Sequence, residues 1–230
     1  KVWEAKIPPH SESPCIEFHY HSRDLEEGYP GNLQIKTTYR LTDENELVML
    51  TEATTDKKTV INITYHPYFN LNGKADQQIL DHELEIFATH ILETDEGMNP
   101  TGKLRPVDQT AFDFRRPKRI GQEIGADDIA LRQGNGYDHC FALDHPDGQF
   151  SLAATAYDPE SGRYMELFTD MPGLQLYTAN WLDQQANPRD GSKLHELGHV
   201  ESLPMRAIAR EVQKPSQNLY TDLLLAHIGA

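Results

Sequence analysis

The chain has 230 residues, a formal net charge of -15 at pH 7 and a mean hydropathy of -0.63. This length fits one large domain or two small ones, and the excess of acidic side chains argues against nucleic acid or an anionic membrane surface as the main partner. The same acidic charge makes a neutral small molecule the expected ligand. No apolar run approaches the roughly 20 residues of a membrane-spanning helix.

Alternating apolar and polar side chains, the pattern of half-buried strands, dominate the first four-fifths of the chain. The runs at residues 32–41 and 46–55 flank a short turn and predict an antiparallel hairpin. Further strands are predicted at residues 58–71, 82–92, 137–144, 149–158, 163–170 and 173–182. Many strands with short connections predict an all-β, antiparallel sandwich or barrel.

Helical patterns come only near the end of the chain. Residues 202–214 have Pro204 in the predicted first turn, and residues 216–229 form a second candidate helix. We therefore predict one β-sandwich domain over residues 1–201 and a separate, helical tail over residues 202–230.

The two cysteines, Cys15 and Cys140, provide no disulfide framework, and the first residues lack the apolar stretch of a secretory signal. These features favour the cytoplasm. The chain does not begin with Met, so this expectation leaves room for a signal or upstream segment that was removed.

A histidine lies among aromatic residues in TYHPYFNLNG, residues 64–73, just before a polar turn. His66 is a candidate general acid, because an imidazole titrates near neutral pH with little tuning. The alternative is a partly buried histidine that bonds to the backbone.

The glycine-rich loop GNGYDHCFALD, residues 134–144, leads directly into a predicted strand. Asp138 and His139 are expected on opposite faces of that strand, so one of them at most enters a given pocket. Asp138 is a candidate acceptor for sugar hydroxyls, with a strand-capping role as the alternative. Cys140 next to His139 suggests a thiol nucleophile, but strand neighbours point apart, which argues against it.

The segment TDMPGLQLYTANWL, residues 169–182, alternates apolar residues with Gln175, Tyr177 and Asn180. Such a strand is typical of a concave sheet that binds a polyol, with Tyr177 or Trp181 stacking on a sugar face. Ordinary sheet packing gives much the same pattern.

Five motifs occur in order along residues 1–183 and together resemble the aldose 1-epimerases, also called galactose mutarotases. These motifs are EEGYPGNL (26–33), TYHPYFNLNG (64–73), PTGKLRPVDQTAFDFR (100–115), GYDHCF (136–141) and DMPGLQLYTANWLD (170–183). The resemblance implies a galactose mutarotase-like antiparallel β-supersandwich. It also implies an isomerase that interconverts the α and β anomers of free hexoses such as galactose and glucose, without metal or cofactor.

The resemblance also implies roles for four residues. His66 protonates the ring oxygen, although the family usually has Asn where Tyr65 precedes it here. Glu201 is the base that removes the anomeric proton, and Asp138 and Gln175 bind the sugar hydroxyls.

A zinc peptidase is the alternative for KLHELGHVESLP, residues 193–204, which contains His-Glu-x-x-His. On a helix, His195 and His199 would hold zinc and Glu196 would activate a metal-bound water. Gly198 and Pro204 disfavour the long helix that such motifs occupy. A second metal alternative groups Cys15, His19 and His21 on one strand, where a solvated strand is the simpler interpretation.

Two departures from the family pattern lie beside the predicted pocket. The family has a section upstream of Lys1 that contributes sugar-binding residues, and the sequence after Pro204 does not match its closing strands. The alternative function is therefore a non-catalytic carbohydrate-binding or inactive mutarotase-like domain. Strand edges left exposed by a missing section also predict self-association.

Overall fold

The computed structural model describes residues 1–180 except residues 10, 12, 75, 76 and 147. The predicted domain boundary after residue 201, the zinc-peptidase motif and the tail at 202–230 lie outside the described residues. Within the described part, no helix is long and apolar enough to cross a membrane.

The described residues form twelve strands and one short α-helix, α1 (Ile129–Gly134), with single 3₁₀ turns at Glu26–Gly28 and Ile120–Gln122. The strands are β1 (Glu4–Lys6), β2 (Cys15–Ser22), β3 (Leu33–Leu41), β4 (Leu47–Thr55), β5 (Glu83–Ile86), β6 (Ala88–Thr94), β7 (Pro100–Pro106), β8 (Lys118–Arg119), β9 (Asp138–Leu143), β10 (Ser151–Tyr157), β11 (Tyr164–Thr169) and β12 (Gly173–Tyr177). Every strand pair is antiparallel. The all-β, antiparallel prediction is confirmed, whereas α1 was not predicted.

Lys1–Tyr68 form the first of two compact units. It contains one sheet in the order β1-β2-β3-β4, and the predicted hairpin is the pair β3 and β4, in which Leu41 lies opposite Leu47. After β4, residues 58–70 carry no strand, so the strand predicted at 58–71 is wrong. This segment contacts the sheet through rings instead, since the rings of Tyr65 and Tyr39 are 5.7 Å apart.

Residues 69–180 belong to the second unit, which has two four-stranded sheets. One has the order β11-β10-β5-β8 and the other β12-β9-β6-β7. Apolar side chains of both sheets meet in a single core that includes Ile86, Ile91, Phe141 and Ala154. Two sheets that share one core form a sandwich, which excludes water from about half of each strand's side chains.

Alternation along β9 positions the candidate site. His139, Phe141 and Leu143 are buried, whereas Asp138 and the residues between them remain partly exposed. Asp138 and His139 therefore lie on opposite faces of the sheet, as predicted.

Candidate functional site

Asp138 and Gln175 lie together on the outer face of the sheet that contains β9 and β12. The two strands pair with Asp138 opposite Tyr177 and Cys140 opposite Gln175. Across this diagonal, the Gln175 side-chain amide donates a hydrogen bond to the Asp138 carboxylate at 2.8 Å. The remaining carboxylate and amide groups can accept and donate further hydrogen bonds, as a polyhydroxyl ligand requires.

A network of amide and hydroxyl groups fixes the loop that delivers Asp138 to its strand. The Asn180 side chain donates to the carbonyls of Gly134 and Tyr137 at 2.8 and 2.9 Å. Gly136 has φ +134, and a Cβ there would lie 2.5 Å from the Asn180 side-chain oxygen. Glycine is therefore required for this close approach, and Asn180 positions the loop rather than facing a ligand.

The helix before this loop is held at its start by an ion pair. Asp128 caps α1 by accepting the Ala130 amide at 2.9 Å, and it accepts a second hydrogen bond from Arg105 at 3.0 Å. The Arg105 guanidinium holds the pKa of Asp128 below its ordinary value. It also lies 5.5 Å from the ring centre of Phe112. The Arg105–Asp128 contact has no local sequence signal, because the two residues are 23 positions apart.

His139 belongs to the interior. Its Nδ1 accepts the Asp138 amide at 3.0 Å, and its ring lies 4.7 Å from the Phe112 ring in an edge-on arrangement. Burial lowers the pKa of His139. The side chain therefore stays neutral at pH 7 and supports β9 instead of reacting with a ligand.

Cys140 lies beside Asp138 and Gln175, but its chemistry is that of a protonated thiol. Burial raises the pKa of Cys140 above its usual value. A thiolate is the nucleophilic form, so the structure gives no support to a cysteine nucleophile.

His66 lies in the first unit, at an exposed position of the 58–70 segment. Its ring centre is 5.0 Å from that of Tyr68. The fourth predicted site residue, Glu201, lies outside the described residues, as do Trp181, His195, Glu196 and His199. The structure thus brings Asp138 and Gln175 together and leaves the proposed acid and base as predictions.

The metal alternative in β2 finds no support. In the described part of the chain, no group of three His, Cys, Asp or Glu side chains is arranged to hold a metal ion. His19 instead contacts Glu17, with Nε2 3.0 Å from the carboxylate.

The free energy of unfolding is expected to fall as the pH drops below about 6.5, the ordinary pKa of histidine. Burial lowers the pKa values of His139 and His82, so the unfolded chain binds more protons than the folded chain in this range. By linkage, their contribution to stability is complete above that pH and is lost as the pH falls towards the folded-state pKa values. Urea unfolding at stepped pH measures this slope, and a gain of stability on acidification over the same range contradicts it.

Comparison with known proteins places these features in a family. The family model for aldose 1-epimerase matches residues 1–201. The galactose mutarotases of Sus scrofa and Homo sapiens are 41% and 40% identical to the chain over 177 residues, which is 77% of this chain and 50% of each relative. The chain thus spans about half the length of the curated relatives that it matches.

A solved structure of galactose 1-epimerase from Lactobacillus acidophilus NCFM has the same fold, with a TM-score of 0.69 and 34% identity. That match covers 78% of this chain and 51% of the other. Both strands of the Asp138 and Gln175 pair lie within the residues that the family model matches. The chain therefore belongs to the aldose 1-epimerase family.

Proposed function

We propose that the protein is an aldose 1-epimerase that interconverts the α and β anomers of free hexoses such as galactose and glucose. The observation that carries the proposal is the hydrogen-bonded pair of Asp138 and Gln175 on adjacent strands, in a chain of this family. The mutarotase-like domain covers residues 1–201 in this proposal, and its ligand is a neutral sugar. A soluble, cytoplasmic location remains a prediction.

The reaction needs one acid and one base and balances without any other reactant. Glu201 removes the proton from the anomeric hydroxyl while His66 donates a proton to the ring oxygen. The bond between C1 and the ring oxygen breaks as the C1 carbonyl forms, and rotation about the C1–C2 bond exposes the other face. Ring closure then reverses both proton transfers, so each residue returns to its starting state.

Asp138 and Gln175 orient the sugar for this exchange. The Asp138 carboxylate accepts hydrogen bonds from hydroxyl groups, and the Gln175 amide can both donate and accept. Their mutual hydrogen bond at 2.8 Å fixes the two side chains before the sugar arrives, which lowers the entropy cost of binding. Tyr177, directly opposite Asp138 in the strand pair, is the proposed stacking partner for an apolar sugar face.

Polarimetry of freshly dissolved α-galactose and α-glucose tests the proposal. The protein is expected to accelerate the decay of optical rotation to its equilibrium value in proportion to its concentration. A decay rate equal to that of buffer alone, for both sugars, contradicts an epimerase. Sugar-induced thermal stabilisation without acceleration would instead identify a carbohydrate-binding domain.

Replacement of Asp138 with Ala is expected to lower kcat/KM by about 10- to 100-fold, mainly through KM, because hydrogen bonds to a charged group contribute about 1.5–3 kcal/mol. Polarimetry over a range of sugar concentrations separates the two constants. Asp170→Ala is the matched control, since Asp170 is exposed and lies outside the β9 and β12 pair. Equal KM values for the Asp138 variant and the control would remove Asp138 from the sugar site.

A further inference from the structure

The turn formed by residues 70–73 begins four residues after His66 and is closed by its own backbone. The Gly73 amide bonds to the Asn70 carbonyl at 3.3 Å, and Gly73 has φ +74. The Asn70 side chain donates to the carbonyls of Lys74 and Gln77 at 3.1 and 2.9 Å. Leu71, within the turn, is buried in the core of the second unit.

Side chains from distant parts of the sequence bind both backbone groups of Leu71. Its amide donates to Nε2 of His82 at 2.9 Å. Its carbonyl accepts hydrogen bonds from the Ser161 hydroxyl at 2.8 Å and from the Arg163 guanidinium at 3.0 Å. Buried backbone groups need such partners, so these contacts anchor the turn.

The bond from Leu71 determines where the His82 ring carries its proton. Because Nε2 accepts the Leu71 amide, the neutral imidazole must carry its hydrogen on Nδ1. That nitrogen points towards the Asp158 carboxylate at 3.8 Å, which is beyond hydrogen-bond distance. His82 is 4% exposed and Asp158 3%, so both groups are almost fully withdrawn from water.

A second proton on His82 can bind only at Nε2. The ring would then present a donor to the Leu71 amide, which is also a donor, and the hydrogen bond between them would be lost. The protonated ring would instead gain an ion pair with Asp158. Protonation of His82 therefore removes the hydrogen bond that holds the Leu71 amide and strengthens the contact between Nδ1 and Asp158 on the other side of the ring.

The charged groups around His82 act in both directions. Asp158 and Asp81 favour the protonated ring, whereas burial lowers its pKa and is the larger effect. The Arg163 guanidinium bonds to the Leu71 carbonyl, so a positive charge also lies beside this turn. Arg119 is 3.6 Å from Asp81, and the cavity of about 610 Å³ beside His82 is also lined by Glu160, which pairs with Lys74 at 2.9 Å. Because burial is the larger effect, the pKa of His82 lies below its ordinary value and the ring is neutral at pH 7.

We propose that His82 is a positioning residue whose neutral ring anchors the turn at residues 70–73, directly after the His66 segment, and releases it in acid. The anchor itself stands on contacts within the second unit. Its effect on catalysis rests on the proposed function, because the anchored turn terminates the chain segment that carries the proposed acid.

Two substitutions separate the two nitrogens of the ring. In His82→Gln, the terminal amide reaches the position of Nε2 and supplies an oxygen that accepts the Leu71 amide but does not titrate. In His82→Asn, the shorter amide reaches the position of Nδ1 and leaves the Leu71 amide without its acceptor.

NMR on isotopically labelled protein measures the tautomer of His82 and the protection of the Leu71 amide against hydrogen exchange, at pH 7 and about pH 5. The Ile86 amide, bonded to the Phe114 carbonyl at 2.8 Å, is the internal reference.

In the wild-type chain, His82 is expected as the Nδ1-protonated tautomer at pH 7. Leu71 protection relative to Ile86 is expected to fall about tenfold on acidification, which corresponds to the loss of one hydrogen bond. His82→Gln keeps its protection at both pH values, and His82→Asn has low protection at both. An Nε2-protonated tautomer, or a wild-type Leu71 amide whose relative protection does not change, overturns the proposal.

Kinetics provides a separate readout. If the protein accelerates mutarotation, the acid limb of the kcat profile is expected to be shallower in His82→Gln than in wild type. Identical acid limbs would remove the link between the anchor and catalysis. If no mutarotation is found, the proposed function fails while the NMR measurements still decide whether the anchor exists.

Discussion

Replacement of His66 with Gln is expected to lower kcat for mutarotation by about 10²- to 10⁴-fold, the usual contribution of a positioned general acid or base. Glutamine retains polarity and similar length but cannot deliver a proton to the ring oxygen at neutral pH. The loss should fall on kcat more than on KM, because the proton transfer occurs in the transition state. Polarimetry with α-galactose at saturating concentration measures it.

His21→Gln is the matched control for this variant. His21 is an exposed histidine on β2, in the same compact unit as His66. The same chemical change there should leave kcat within twofold of wild type, about the scatter expected for a surface substitution. A His66→Gln protein as fast as the His21→Gln protein would show that the ring oxygen receives its proton from another group.

Local patterns predicted individual strands well, because a half-buried strand must alternate. The alternation in β9 correctly placed Asp138 and His139 on opposite faces of the strand. The same rule cannot locate a crossing between sheets. Residues 82–92 were predicted as one strand, yet the chain leaves one sheet at Ile86 and enters the other at Ala88, with Phe87 exposed between them.

The incorrect strand at residues 58–71 has a different cause. Its β-branched residues, such as Val60 and Ile61, suit a strand, but a strand also requires a partner for its backbone hydrogen bonds. In the structure these side chains are exposed and Tyr65 contacts β3 through ring packing. Whether a partner strand is available depends on the tertiary fold, which periodicity does not report.

The candidate site could be predicted as residue types but not as contacts. Asp138 and Gln175 were identified from local patterns and a family resemblance, whereas their hydrogen bond depends on the register of β9 against β12. The link from His82 to Leu71 had no signal in the sequence. Contacts across long sequence separations follow from how strands pair, so they emerge only when the sheets are assembled.

Replacement of Phe112 with Ala is expected to lower the free energy of unfolding by about 3–5 kcal/mol, the usual cost of removing a buried aromatic ring. Phe112 is fully buried, and its ring lies 5.6 Å from Tyr137 and 4.7 Å from His139. These two neighbours flank Asp138 in the sequence. Because a typical domain is stable by about 5–15 kcal/mol, this loss approaches the limit of folding. Urea unfolding followed by circular dichroism measures it.

Phe150→Ala is the control for Phe112→Ala, because it removes an aromatic ring that is exposed instead of buried in the core. Phe150 is 71% exposed and stacks on Phe168 with ring centres 5.8 Å apart, so its removal should cost less than about 1.5 kcal/mol. Equal losses for the two variants would contradict a core centred on Phe112. A large loss at Phe112 should also weaken sugar binding before the protein unfolds, because the cavity left by the removed ring would adjoin Tyr137 and His139, the two neighbours of Asp138 in the chain.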